Sequence, residues 1–345
     1  MIRPPSPLPE TPIIVRDPSQ WDRAVLAHTQ AGFLQSAAWG RFKQQFGWAP
    51  ARILLPRRGT GPAAAAQVLF RRVPYSPFTL GYIPRGPLLD YQDEGAIDQM
   101  LLAIDRLARR YRAIAITWEL PIPEDPPVAA RLIRRGLHQE PVIQSRSTRV
   151  IDLSPGLEAV TAQFHQKWRY NTRLARKRGV AVRAARSRDD LSRWYALYAE
   201  TARRDGFVGR GEDYMLRFWL DTAGSGSTTL LLAEHEGALL AGVMLHRFGP
   251  IATYLYGASA EAGRNLMPNH LLQSEAMVWA AQAGAASYDL FGIADSDDPN
   301  EPLAGVTTFK AGFGGRTVRF AGAFDRVYHP LLYAAARRVR GGGTG

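Results

Sequence analysis

The 345-residue chain contains no cysteine, which excludes disulfides, thiolate-bound zinc and a cysteine nucleophile together. No apolar run is long enough to span a bilayer, and the first residues, MIRPPSPLPETP, lack the apolar core of a signal peptide. Neither a span nor secretion is expected, and this reading places the chain in the cytoplasm. The seven histidines show no His-x-x-x-His spacing, so no metal is expected. Acidic residues are scarce relative to basic ones: 31 Asp plus Glu stand against 43 Lys plus Arg, a net charge of +12. Such an excess concerns partners and encounter rates rather than fold, and it admits nucleic acid, anionic lipid and phosphorylated metabolites. A GC-rich coding background is an equally good account of the global charge, but not of its local clustering.

With 46% hydrophobic residues, the chain can bury two cores of ordinary size. The same order of elements is written twice. The first pass runs through SQWDRAVLAHTQ, LQSAAWGRFKQQFG, ARILL, AAAAQVLFRRV, FTLGYIPRGPLL, the helix EGAIDQMLLAIDRLARRY and AIAITWEL. The second runs through DDLSRWYALYAETARRDG, GEDYMLRFWLDTA, TTLLLAEHEG, ALLAGVMLHRFG, IATYLYGAS, the helix NHLLQSEAMVWAAQAG and SYDLFGI. Gly61 and Gly237 lie 176 positions apart and Tyr82 and Tyr256 lie 174 apart, which implies a duplicated domain. Glycine turns between β-rich runs read as hairpins, and Met100, Leu101, Ile104 and Leu107 form a core-facing helical stripe. This α/β (α+β) order is that of tandem GNAT-like domains with a cleft between them. The expected boundaries are 1–148 plus 318–345 for one domain and 149–317 for the other. PIPEDPP, residues 121–127, is no linker, because strand-like residues follow it, and the tail GGGTG is expected to be disordered.

The segment FHQKWRYNTRLARKRGV, Phe164 to Val180, carries six basic residues and no acidic one between Lys167 and Arg178. On a helical wheel Phe164, Trp168, Asn171 and Ala175 share one face, with Arg169, Arg173, Arg176 and Lys177 opposite. Gly179 supplies the stop. The outward cations repel one another unless anions relieve them, so the face reads either as solvated or as a phosphate-binding surface whose affinity falls steeply with salt.

KWRYNTRLARKRGV, Lys167 to Val180, resembles the signature helix of the FemABX peptidyltransferases, which move an amino acid from aminoacyl-tRNA to a peptidoglycan precursor. FLQSAAWGRFKQQFGW (33–48), GYIPRGPLLD (81–90), ETARRDGF (200–207), YLYGAS (254–259), YDLFGI (288–293) and FKAGFGG (309–315) are similar to further motifs of that family, in the family order. No counterpart of the inserted helical hairpin of staphylococcal members is found, so the chain resembles the compact FemX-type member. The resemblance implies an aminoacyltransferase that builds the interpeptide bridge. It takes aminoacyl-tRNA as donor, with lipid II or UDP-MurNAc-pentapeptide as acceptor and no cofactor, and a lipid-linked acceptor would bring it to the inner face of the membrane.

By the same resemblance Lys310 is the active-site lysine, the alternative being a surface lysine at a strand end. Lys43 and Arg204 would hold the acceptor's diphosphate, with neighbouring Arg203 the other candidate in that alignment. Arg grips phosphate as a fork and Lys as a point charge. Tyr214 and Tyr256 would line the acceptor groove or else pack in the core. Lys167, Arg169, Arg173, Arg176 and Lys177 would meet the tRNA. An activated ester needs mainly positioning and oxyanion stabilisation. No general base stands out, and Asp289 reads first as structural. The rivals are an acyl-CoA-dependent N-acyltransferase and a non-catalytic RNA-binding protein. The Gln/Arg-x-x-Gly-x-Gly/Ala pattern of CoA sites occurs at Arg58–Ala63 and Arg176–Ala181, both outside a strand-to-helix junction. At the place expected for it, GFVGRG lacks the initial Gln or Arg.

Overall fold

The computed structural model describes residues 13–56 and 61–341. The turn RRGTG and the first Arg58–Ala63 pattern fall largely outside them, as does nearly all of the tail GGGTG. In chain order the elements are β1 (Ile13–Ile14), α1 (Pro18–Leu26), α2 (Ala37–Gln44), β2 (Trp48–Leu54), β3 (Ala65–Arg72), β4 (Thr79–Ile83), α3 (Glu94–Tyr111), β5 (Ala113–Glu119), α4 (Pro126–Arg134) and β6 (Leu137–Glu140). Then follow β7 (Ser147–Asp152), α5 (Leu157–Ala162), α6 (Gln166–Lys177), β8 (Ala181–Ala184), α7 (Arg188–Asp205), α8 (Glu212–Ala223), β9 (Thr228–His235), β10 (Ala238–Phe248), β11 (Ile251–Ser259), α9 (Pro268–Gln282), β12 (Ser287–Ile293), α10 (Ala304–Ala311) and β13 (Arg316–Arg319). β14 (Ala323–Val327) and α11 (Pro330–Gly341) end the described chain.

The chain divides into two compact units, residues 1–144 with 320–345 and residues 145–319. Unit 1 holds a seven-stranded sheet in the order β1-β2-β3-β4-β5-β14-β6, and unit 2 one in the order β8-β9-β10-β11-β12-β7-β13. The duplication is thus visible strand by strand. In each sheet an antiparallel meander leads to a parallel pair, β4–β5 or β11–β12, joined through a helix that packs across the sheet. The sixth place is filled by β14 in one unit and by β7 in the other.

Local signals explain the elements. Asp93 caps α3 by accepting from Ala96 N at 3.0 Å, and the stripe Ile97, Met100, Leu101, Ile104 and Leu107 is buried against the sheet. Pro-rich PIPEDPP does not lead into strand as expected. Asp125 caps Val128 N at 3.0 Å and Pro126 occupies the first turn of α4, where a missing N–H costs nothing. Each unit has its own core, one centred on Phe70, Ile104, Ile116, Trp118 and Phe324, the other on Leu245, Leu271, Met277, Tyr288 and Phe313. Among the described residues no helix is long and apolar enough to cross a membrane.

Candidate functional site

The parallel pair behaves differently in the two units. In unit 1, β4 and β5 stay paired as far as Ile83 and Trp118. In unit 2, β11 and β12 pair only over Ile251–Thr253 and Ser287–Asp289, and then part. Both strands carry an irregularity at the parting. On β12 the register with β7 shifts between Asp289 and Gly292, and Phe291 adopts a φ of 57°. On β11, Tyr254 opposes Leu245 while Tyr256 opposes Met244, so Leu255 is an extra residue. Cross-strand partners share a face and consecutive residues do not. The bulge therefore sends Tyr254 to the α9 side of the sheet and Tyr256 to the α7 side, although their spacing of two suggests a common face.

Lys310 reaches this fork. It stands in the last turn of α10 and is only 6% exposed, which removes the alternative of a surface lysine at a strand end. Its Nζ donates to Gly292 O at 2.7 Å and Phe291 O at 3.4 Å, carbonyls that the irregular end of β12 turns toward it, and it lies 5.1 Å from the centre of the Tyr254 ring. Burial lowers its pKa to about 8, against the opposing pull of the Asp289 carboxylate. Asp289 is held in place: its Oδ1 accepts from Thr148 Oγ1 and from Phe291 N, which shapes the fork and fits the structural reading of this carboxylate.

The basic helix α6 is packed against α10, the element that carries Lys310. Trp168 Nε1 donates to Phe309 O at 3.0 Å, His165 N donates to Gly312 O at 2.8 Å, and the Phe164 and Phe313 rings meet edge-on at 5.1 Å. A Cβ on Gly312 would lie 2.2 Å from the Trp168 ring, so glycine is what lets the indole seat there. On the other side Asn171 Nδ2 lies 3.1 Å from His270 Nε2, and desolvation lowers the His270 pKa to about 4, which keeps it neutral in this joint.

The expected cation face is only partly free. Arg169 is half-buried and donates to Ala162 O at 3.0 Å and to Phe164 O, closing the end of α5, so it does not belong to the outward set. Arg176 pairs with Glu275 at 2.6 Å, and Arg178 donates to Asn265 O at 2.7 Å. Lys167, Arg173 and Lys177 are exposed and have no ion pair among the described residues; with Tyr170, 57% exposed, they form one stripe. A wheel cannot see the neighbours that claimed Arg169 and Arg176.

On the α7 face, Tyr214 and Tyr256 come together. The Tyr214 hydroxyl donates to that of Tyr256, which also accepts from the Arg210 guanidinium, and burial raises both pKa values. The Arg210 guanidinium lies 5.4 Å from the Tyr214 ring, its backbone N donates to Tyr198 Oη at 3.3 Å, and the Tyr198 ring meets Tyr256 edge-on at 6.1 Å. Arg204 is engaged locally: it forks onto Asp205 at 2.8 and 3.0 Å and donates to Ser259 O at 2.7 Å. Arg203 is exposed and has no ion pair among the described residues. In unit 1, Lys43 lies 5.4 Å from the Trp39 ring and 5.5 Å from Trp48, and the Arg71 guanidinium is 5.6 Å from that same Trp48.

Tyr254, Arg210 and Arg71 were not singled out from the sequence. Tyr254 opens the segment YLYGAS, but the bulge that aims it at Lys310 has no sequence signal. Cation pairing across strands, as at Arg71, is equally silent. The second CoA-like pattern, Arg176–Ala181, ends α6 and enters β8, where the helix terminus repels an anion. GFVGRG connects α7 to α8 rather than a strand to a helix, contrary to the place expected for a CoA loop. The true strand-to-helix junction after β11 reads AEAGRNLM and lacks the pattern.

Two units of this layout, with parallel strands that part around a buried lysine in one of them, define a tandem GNAT-like protein. A solved tandem GNAT protein from the clavulanic acid biosynthesis pathway shares the fold, with a TM-score of 0.53 at 15% identity over 92% of this chain and 97% of that one. The FemAB family profile matches residues 18–123, 135–235 and 229–340, and the chain belongs to that family. The crystal structure of FemX is similar with a TM-score of 0.84 at 25% identity, covering 94% of this chain and 99% of that chain. The lipid II:glycine glycyltransferase of Staphylococcus haemolyticus is 26% identical over 394 residues, covering 92% of this chain and 93% of the relative. That alignment is longer than the chain itself, so the relative carries residues that this compact chain lacks.

Proposed function

We propose that the protein is an aminoacyltransferase of peptidoglycan bridge formation. It moves an amino acid from aminoacyl-tRNA to the stem-peptide amine of lipid II or UDP-MurNAc-pentapeptide. The observation that carries the reading is that a buried lysine at a strand fork and a stripe of unpaired cations belong to one packed unit, joined through Trp168, in a chain whose relatives are named lipid II:glycine glycyltransferases. The names support the transferase class and the peptidoglycan acceptor. The tRNA donor rests on the resemblance of Lys167–Val180 to the family's signature helix, and the exposed cations of α6 support it.

In the proposed reaction the acceptor amine attacks the ester carbonyl, the new C–N bond forms, the ester C–O bond breaks, and the ribose oxygen leaves with the proton the amine gives up. The Lys310 ammonium, oriented by two carbonyls, offers a cation to the oxyanion in a site of low dielectric. Lys167, Arg173 and Lys177 hold the RNA backbone. Tyr214 and Tyr256 offer hydroxyls to the muramyl-peptide, Lys43 offers charge to the diphosphate, and Arg203 is better placed than Arg204 to do the same because Asp205 already occupies the latter. Unit 1 contributes Lys43 to acceptor binding, while unit 2 carries Lys310 and the donor-side cations together with the acceptor residues Arg203, Tyr214 and Tyr256.

The test supplies a charged tRNA pool with either acceptor and follows the acceptor's mass. A gain of one aminoacyl residue that disappears with RNase and in Lys310→Met is expected, and its size identifies the amino acid. No gain with either acceptor overturns the reading and favours acyl-CoA donors.

A further inference from the structure

One end of unit 1 presents apolar side chains to solvent for which the fold offers no use. Tyr75, at the tip of the β3–β4 hairpin, is fully exposed and held at a φ of 56°, a conformation that glycine or asparagine adopts at less cost. The tip is braced rather than loose. Val73 N donates to Phe78 O at 2.9 Å, Arg72 Nε to Ser76 O at 3.0 Å and Ser76 Oγ to Val73 O at 3.1 Å. An exposed aromatic fixed in a strained turn points to a function outside the fold.

Two further segments converge there. Phe78 meets His329 edge-on at 5.1 Å, directly before α11, whose Leu331 is 88% and Leu332 38% exposed. Thr79 donates from N to Arg112 O at 3.0 Å and from Oγ1 to Tyr111 O at 2.8 Å, which brings the end of α3, with exposed Arg109, Arg110 and Arg112, to the same edge. The segments RRVPYSPFT, RRYR and HPLLYAAARRVR contain no acidic residue. Carboxylates on the adjoining α3, β14 and β6 are already engaged: Asp105 with Arg326 and Tyr328, Asp325 with Tyr333, and Glu140 with Arg337.

We propose that this end of unit 1 docks on a membrane surface rich in anionic phospholipid, with Tyr75, Leu331 and Leu332 entering the interface and the arginines of the α3 end meeting the headgroups. An aromatic, two leucines and a run of exposed arginines, with the carboxylates beside them paired to other groups, is the chemistry of interfacial binding. A protein partner would need complementary acidic and apolar surface together, whereas a membrane supplies both everywhere. The proposal stands apart from the transferase reading, since it concerns lipid binding without donor or acceptor.

The experiment is flotation of the full chain with phosphatidylcholine vesicles, with and without about 30% phosphatidylglycerol. Binding is expected with the anionic vesicles, at least about tenfold tighter than with neutral ones. Tyr75→Asn with Leu331→Gln is expected to weaken it about tenfold, and Arg109→Gln with Arg110→Gln to remove the preference for anionic lipid. Asn suits the left-handed turn, so loss of binding in that variant cannot be put down to misfolding. Binding unchanged by either pair overturns the proposal. So does a wild-type chain that ignores vesicles but dimerises in sedimentation velocity, with the dimer dispersed by Tyr75→Asn and Leu331→Gln, because the patch then covers a second copy.

Discussion

At the scale of single residues, Lys310 makes stability and activity depend on pH in opposite directions. Its pKa is lowered from the usual lysine value to about 8 by burial. Between pH 8 and the unfolded value the unfolded chain binds the extra proton, so this group makes the fold more stable as pH rises through that window. The increment is on the order of 3 kcal/mol at most. If the ammonium serves the oxyanion, transfer weakens over the same window. The expected outcome is a falling limb near pH 8 in the rate of aminoacyl transfer together with a rising melting temperature. In Lys310→Met both features should vanish, and the activity should be low throughout. A falling limb that survives the substitution would belong to another group. The position of this lysine is legible in FKAGFGG, but its burial is not: that depends on the irregular end of β12, which turns two carbonyls toward Nζ and which no residue pattern announces.

Among the elements, α6 divides its cations between structure and solvent. Arg169 closes α5, Arg176 is tied to Glu275, and Arg178 is tied to the loop before α9. Only phosphate contacts set a salt slope, at roughly 0.7 to 0.9 per contact. Arg173→Gln with Lys177→Gln should therefore flatten the salt dependence of tRNA binding by about 1.5 units, whereas Arg169→Gln should leave the slope alone and cost about 1 kcal/mol, because the carbonyls that lose their donor lie at exposed and half-buried positions. Fluorescence titrations at several salt concentrations measure the first and urea unfolding the second. A flatter slope in Arg169→Gln would return that residue to the RNA face. The helix itself is readable, down to its buried Asn171 and Ala175 and its Gly179 stop, because period and capping are local; Phe164 is buried as expected but stands two residues ahead of the helix. Which guanidiniums remain free was not readable, because Glu275, Asn265 and the α5 carbonyls are distant or non-periodic partners. The same division holds elsewhere. The repeated helices and strands follow the sequence signals to within a few residues, while α4 hides behind a proline run in which the aspartate cap, Asp125, is the stronger signal.

For the whole molecule, the duplication fixes a discontinuous unit. β14 pairs with β5 on one side, from Ala323–Glu119 to Val327–Ala115, and with β6 on the other, from Ala323–Glu140 to Arg326–Leu137. Phe324 on this strand is fully buried in the first core. Unit 2 fills the equivalent place with β7 from its own residues. Ending the chain after Arg319 therefore removes the strand between β5 and β6, exposes two edges and opens one core, while every strand of the second sheet remains. Full-length protein is expected to unfold in urea with separate responses to core substitutions. Ile104→Ala should shift the loss of unit 1 and Leu245→Ala the loss of unit 2, each by about 2–5 kcal/mol, both residues being fully buried. In the truncated chain the Leu245→Ala response should persist and the Ile104→Ala response should disappear. Hydrogen exchange resolved by peptide would check this directly, with protection kept over β9–β12 and lost over β3–β5. Equal loss over both sheets would mean that the second core depends on the first, and that the two halves, although each has its own sheet, fold as one cooperative body.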